Sequence, residues 1–176
     1  AVQALRTLAD DRAVPLLELL KDKPGLSPAD QRNVRTMLAD VALESGNAAD
    51  AVHGYITAER EGVSHWSLYS NRARARLELD DAAGAELDIR RALVDKPDLP
   101  KLRALLALIL IRGDRGDDGK RELDAVLAAP RDAWADYYAA KALDALGERA
   151  RAEELFDELR RRAGLPRALL RRLLDS

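Results

Sequence analysis

The residues able to do chemistry in this chain are few and scattered. Two histidines, His53 and His65, stand alone among 176 residues that include no cysteine. Their spacing matches no metal-ligand pattern, and no thiolate is present to join them. His53 falls on the outward face of a helical pattern, and His65 lies in the turn before Trp66. Both read as ordinary surface histidines. Carboxylates come in pairs, Asp80-Asp81, Asp117-Asp118 and Glu153-Glu154. Each pair lies at a turn or a helix start, where negative charge stabilises the positive end of the helix dipole. The glycines of "RGDRGDDGK" do not spell GxxxxGK[ST], and no strand precedes them to form a phosphate loop. The run Arg160 to Arg162 follows Glu153, Glu154, Asp157 and Glu158. It complements a helix C-terminus and does not make a nucleic-acid patch. These groups imply no enzyme, no cofactor and no metal.

The elements that carry them are helical. Apolar residues make up 47% of the chain and charged residues 34%, which suits amphipathic helices and argues against disorder. Aromatics at 4% are too few for a β-sandwich or barrel. A formal net charge of -2, from 29 basic and 31 acidic residues, offers no basic excess for nucleic acid. The longest apolar run, "LRALLALILI" from Leu102 to Ile111, contains Arg103 and is too short to span a membrane. Lack of cysteine excludes a disulfide scaffold. The chain starts inside a helical pattern without an initiator Met, which reads as a fragment of a longer protein.

A repeat organises the helices. "ESGNAADAVHGYITAEREG" has counterparts in "ELDDAAGAELDIRRALVDKP", "IRGDRGDDGKRELDAVLAAP" and "ALGERARAEELFDELRRRAG". Turn residues are expected at Gly46, Asp80, Gly113 and Gly147. Small residues follow at Ala51, Ala85 and Ala152. Larger apolar ones come four later at Tyr55, Ile89 and Phe156, then Ala58, Ala92, Ala125 and Leu159. The turn needs a left-handed or unhindered backbone, which Gly, Asn or Asp adopts most readily. Asn47 and Asp81 are placed to cap the next helix. The small residue lets two antiparallel helices approach, the large one fills the wedge to the next pair, and Pro97 and Pro130 end units.

This pattern resembles the tetratricopeptide repeat (TPR), with units at about 32–65, 66–98, 99–131 and 133–166. The resemblance implies an all-α, right-handed α-solenoid, a superhelix of antiparallel helix pairs with about eleven helices. Residues 1–27 hold a further pair, HEAT-like or a degenerate TPR, with its turn at Asp10-Asp11 and Pro15 early in its second helix. Ser27 or Asp30 then starts the first unit within 28–165. Residues 166–176 form a capping helix or the start of another repeat, with Leu169, Leu170, Leu173 and Leu174 on one side and Arg167, Arg171 and Arg172 on the other. Three departures stand out. Arg72 and Arg76 occupy positions the family fills with large apolar residues, so they snorkel to solvent or the helix phase is off by one. Asp118-Gly119 replaces the small residue of the third unit. The glycines and aspartates there predict a frayed helix start capped by Asp117 or Asp118.

In TPR arrays the first helices line a concave groove that holds a protein or peptide. Carried over by register, its residues are Asn33, Thr36, Asp40, Ser70, Asn71, Arg74, Arg103, Trp134, Tyr137 and Lys141. Tyr137 and Lys141, one turn apart, are the expected exposed contacts. Asn71 and Arg74 fit the carboxylate clamp of chaperone-binding TPRs, but Asp40 stands where an amide is needed and would repel a carboxylate. The implied function is a non-catalytic scaffold for protein–protein assembly. "NRARARLELDDAAGAELDIRRAL" also resembles TPR arrays of bacterial envelope proteins that export exopolysaccharide. That alternative implies the periplasm and a polysaccharide ligand or a periplasmic partner.

Overall fold

The turns between paired helices share one hydrogen bond. The backbone N–H groups of Asn47, Asp81, Arg115 and Glu148 donate to the carbonyls of Ala42, Arg76, Leu110 and Leu143 at 2.8, 2.9, 2.9 and 2.9 Å. This six-residue closure needs a left-handed residue just before the donor. Gly46 (φ 81°), Asp80 (φ 59°), Asp114 (φ 59°) and Gly147 (φ 79°) supply it. The third turn is therefore centred on Asp114. Gly113, expected at that place, has φ -93° and ends the preceding helix. Aspartate tolerates the left-handed region because its short polar side chain hydrogen-bonds locally.

The computed structural model describes residues 14–21 and 23–174, and every regular element among them is helical. In chain order they are α1 (Val14–Lys21), α2 (Pro28–Glu44), α3 (Ala48–Arg60), α4 (Trp66–Glu78), α5 (Ala82–Asp95), α6 (Pro100–Arg112), α7 (Gly116–Leu127), α8 (Ala133–Ala145), α9 (Arg149–Arg161) and α10 (Arg167–Leu174). The first helix expected in the N-terminal pair, with its turn at Asp10-Asp11, lies outside the described residues. The chain divides into two compact units, one ending at Asp81 and one starting at Ala82.

In the first unit α2 starts at Pro28, with Ser27 as N-cap accepting from the Asp30 N–H at 3.1 Å. Proline suits that first position, where no N–H is needed. Leu17 of α1 is fully buried against Val34, Met37 and Val41 of α2. Farther along, Ala39 and Leu43 of α2 pack with Ala51, Tyr55 and Ala58 of α3 and with Leu68 and Ala75 of α4. His65 caps α4 by accepting from the Ser67 N–H at 3.3 Å. Asn47 stands at the N-cap of α3, yet its side chain makes no capping bond.

In the second unit α6 packs against α5, α7 and α8, and α8 packs against α9. Eight of the thirteen residues of α6 are buried and apolar. The closest approach is at Gly119 of α7. A Cβ there would lie 2.6 Å from Ile111 Cγ1 and 2.8 Å from the Ala107 carbonyl oxygen. Gly119 is thus the small residue of its pair, followed in register by the buried Leu123 and Val126. Ala125, expected in the place of Val126, is exposed. The helix runs unbroken from Gly116, and Asp117 and Asp118 sit in its first turn instead of capping it. Leu169 and Leu173 of α10 are buried, whereas Leu170 and Leu174 are 46% and 87% exposed.

Candidate functional site

The first helices of the pairs carry the residues singled out in the sequence. In the first unit those on α2 and α4 meet. Tyr55 of α3 donates its hydroxyl to Asp40 Oδ1 at 2.6 Å, and Asn71 Nδ2 of α4 donates to the same oxygen at 2.9 Å. One turn away Glu44 accepts from Arg74, which is 8% exposed. Burial raises the Asp40 carboxyl above its ordinary value, although both donors and the nearby Arg74 charge pull it down. Burial and the Asp40 charge raise the Tyr55 phenol. Three helices are thus tied through one carboxylate. Thr36 turns its hydroxyl back to the Arg32 carbonyl at 3.0 Å, Ser70 is half-buried and Asn33 is exposed.

Arg72 follows neither expectation raised by its position. It does not reach solvent, and the helix phase is correct. It is 2% exposed, bonded to Glu59 Oε2 at 2.6 Å, with its guanidinium 5.7 Å from the Tyr69 ring centroid. Arg76 is half-buried, 3.7 Å from Asp81.

In the second unit the corresponding surface is aromatic. Trp134, Tyr137, Tyr138 and Lys141 fall within one arc of about 100° on α8 at helical spacing. Trp134 stacks on Tyr138 at 5.8 Å and meets Tyr137 edge-on at 6.0 Å. Tyr137 continues to Phe156 of α9 at 6.1 Å. Tyr137 and Tyr138 are each 7% exposed, so Tyr137 is a packing residue and not the exposed contact expected of it. Trp134 and Lys141 are half-buried. Behind this arc Asp136 is 6% exposed and takes Arg131 Nε at 2.6 Å and the Arg162 guanidinium at 3.2 Å.

These groups are engaged with one another in ways that do not resemble acid–base machinery. His53 is exposed, and it borders a cavity of about 520 Å³ among α1, α2 and α3 whose floor includes Leu38, Ala39 and Val41. Among the described residues no three His, Cys, Asp or Glu side chains gather to hold a metal, and no helix is long and apolar enough to cross a membrane.

No family model and no curated protein matches the chain. Solved structures do. YrrB, a TPR protein with an unusual peptide-binding site, is 18% identical over 97% of this chain and 86% of its own, with a TM-score of 0.60. The MamA MSR-1 structure is 14% identical over 90% of this chain and 88% of that one, at 0.61. The MamA AMB-1 structure is 15% identical over 96% and 90%, at 0.59. The chain has the TPR fold. With the TPR register fixed by the four left-handed turns, Asn33 corresponds to Ser67, Lys101 and Trp134. Arg103 therefore does not belong to the groove set. It sits two residues further along α6, 2.9 Å from the Pro97 carbonyl and 3.4 Å from Glu122 of α7. Ala104, in register with Thr36, Ser70 and Tyr137, takes its place, and Lys101 falls in register with Asn33. Glu44, Tyr55 and Asp136 were not foreseen as polar anchors. The signal was there for Tyr55, because a tyrosine at a position that packs requires a partner for its hydroxyl.

Proposed function

We propose that this chain is a non-catalytic scaffold that holds a peptide or protein segment on the exposed faces of its first helices. The observation that carries this is Trp134. It is a half-buried ring, held edge-on and face-on by two buried tyrosines, with the half-buried Lys141 two turns along the same face. Rings fixed in this way bury large area with little loss of side-chain freedom, which is why Trp and Tyr dominate interface hot spots. The likeness to YrrB, itself a TPR protein with a peptide-binding site, supports a peptide as the ligand class. Polysaccharide export gains no support from these neighbours.

The reading assigns the remaining predicted residues a lesser part. Asn33 and Ser70 are reachable, whereas Asp40, Asn71 and Arg74 are bound to their neighbours and shape the surface more than they contact a ligand. The test is selection of short random displayed peptides on the purified chain, followed by affinity measurement against Trp134→Ala. Loss of a large interface ring costs about 2 kcal/mol or more, about thirtyfold in affinity. Peptides that bind Trp134→Ala as tightly as the parent would refute the assignment. Unchanged helical content on melting separates this from misfolding.

A further inference from the structure

Trp134 is the second residue of α8, a place where helices fray. Here that first turn is tied on both sides. Asp132 caps it by accepting from the Ala135 N–H at 2.8 Å. Asp136, two residues past Trp134 and buried, accepts from Arg131 Nε at 2.6 Å and from Arg162 Nη1 at 3.2 Å. Arg131 also donates to the carbonyls of Leu127 and Ala129, at 2.6 and 3.4 Å. Arg162 is the C-cap residue of α9. One carboxylate therefore joins the start of α8 to the end of α7 and to the end of α9. By contrast α6 starts from Leu99, which makes no side-chain capping bond.

This arrangement is not a general part of the repeat. In the register of the four left-handed turns, 136 and 162 correspond to 35 and 61, where Arg35 and Glu61 make the same bond with the charges exchanged. The two repeats between hold Tyr69 with Asp95 and Arg103 with Ala129 at these places, no pair of opposite charges. The second cation belongs to the fourth repeat, because Arg131 stands where the other three have Asp30, Ser64 and Asp98.

We infer that Asp136 is a positioning residue for the Trp134 contact. Held by Arg131 and Arg162, it fixes the first turn of α8, so that the ring meets its ligand already oriented. This rests on the peptide-binding reading above and deepens it. Tyr137 and Tyr138 orient the ring relative to α8 itself, whereas the Asp136 tie orients the start of α8 relative to its neighbours. A ring on a frayed turn has to be ordered on binding, which weakens affinity about two- to tenfold.

The measurement uses the full chain in a Trp66→Phe background, which leaves Trp134 as the one tryptophan. Arg162→Ala removes the outer bond at a side chain 49% exposed. Acrylamide quenching of Trp134 should rise, and Trp134-dependent peptides selected from the displayed library should bind about fivefold more weakly. Arg162→Lys keeps a cation there and should restore most of both. Asp136→Asn weakens both guanidinium bonds and should lose about tenfold in affinity. Arg162→Ala should still melt within a few degrees of the parent, since so exposed a partner contributes little stability. Where Asp136→Asn fails to fold, the two Arg162 variants decide. Unchanged affinity, whatever the melting temperature, makes the tie merely structural and overturns the inference. Weaker binding with unchanged quenching makes Arg162 a ligand contact and overturns it as well. In both cases the peptide-binding reading stands. Failure to select any Trp134-dependent peptide overturns both.

Discussion

Helices α4 and α6 occupy the same place in successive repeats, yet one is lined by arginine and the other by leucine. Arg72, Arg74 and Arg76 of α4 correspond, thirty-four residues on, to Leu106, Leu108 and Leu110 of α6. Arg72 and Arg74 are as buried as their counterparts, at 2% and 8% against 6% for both Leu106 and Leu108. The fold therefore does not demand an apolar residue at these positions. It demands that a charge buried there meet an opposite one. In the first unit Glu59 and Glu44 meet the guanidinium groups. In the second unit close packing does the same work, and no carboxylate needs to be supplied. A buried ion pair is weak evidence for stability, because desolvation consumes most of the attraction.

The sharpest way to break the comparison is to move a charge into the helix whose buried positions are apolar. Leu110→Arg places a guanidinium at a site 3% exposed within the apolar packing of α6. The expected loss is about 4 kcal/mol or more, enough to unfold the second unit, measured by urea denaturation. A loss under about 1 kcal/mol would mean that the two helices are interchangeable after all. Next in size is the reverse operation. Glu59→Ala leaves Arg72 buried without that carboxylate and should cost about 2 kcal/mol, reduced from the fully buried case because Glu59 keeps 30% side-chain exposure. Arg72→Leu together with Glu59→Leu should instead come within about 1 kcal/mol of the parent, as Leu106 shows that the register accepts leucine. If the double variant were as unstable as Glu59→Ala, the arginine would have a structural role that the leucine comparison does not capture.

The helix junctions differ as well. Gly54 of α3 would put a Cβ 2.7 Å from Ala39 Cβ, one close contact, with a methyl that moves only with its helix. Gly119 of α7 would put one 2.6 Å from Ile111 Cγ1 and 2.8 Å from the Ala107 carbonyl oxygen, so more must give way. Alanine is favoured over glycine in a helix by about 1 kcal/mol, so packing must outweigh that gain. Gly119→Ala should still lose about 1 to 2 kcal/mol net, since overpacking a tight junction costs about 1–3 kcal/mol. Gly54→Ala should lose less, and Ala39→Gly should rescue it. Thermal melts of the three variants decide the order.

Much of this was legible in the residues themselves, because a turn every thirty-four residues, small residues at the crossing and apolar periodicity are local signals. The one-residue error in the third repeat has an equally local cause. Glycine is the usual left-handed residue, so the sequence points to Gly113, but Asp114 takes that conformation. Moving the turn by one residue turns the apparent defect Asp118-Gly119 into a regular crossing glycine, exchanges Ala125 for Val126 and Arg103 for Ala104, and brings Lys101 into the register of Asn33. The polar anchors were not legible. Asp40, Tyr55 and Asn71 come from three helices, and Arg162 reaches Asp136 from twenty-six residues away. No spacing rule encodes such meetings. The packing of Tyr137 is no more local, since Phe156 of the next helix meets its ring.

The smallest expected effect tests the first unit's polar centre. Asp40 titrates above its ordinary value of 3.8 in the folded chain, chiefly because burial disfavours the charge. Between 3.8 and that raised value the folded state binds more protons at this site than the unfolded state does. Stability contributed by Asp40 is therefore present at low pH and is lost as pH rises through the window. Asp40→Asn keeps an oxygen to accept from Tyr55 and Asn71 while removing the charge. The difference between their urea midpoints cancels what the two proteins share and leaves the contribution of residue 40 with that of its charged neighbours Glu44 and Arg74. That difference should shift in favour of Asp40→Asn as pH is raised from about 3 to about 7. A shift the other way would show that Arg74 and the two donors outweigh burial, and that the charge at residue 40 holds α2, α3 and α4 together instead of being tolerated by them. An equivalent test has no place in the second unit, where the residue in the same register is Leu108 on one helix and Lys141 on the other. The contrast between the units then reduces to one question, whether the charge on a first-helix face is turned inward to neighbouring helices or left available for a ligand.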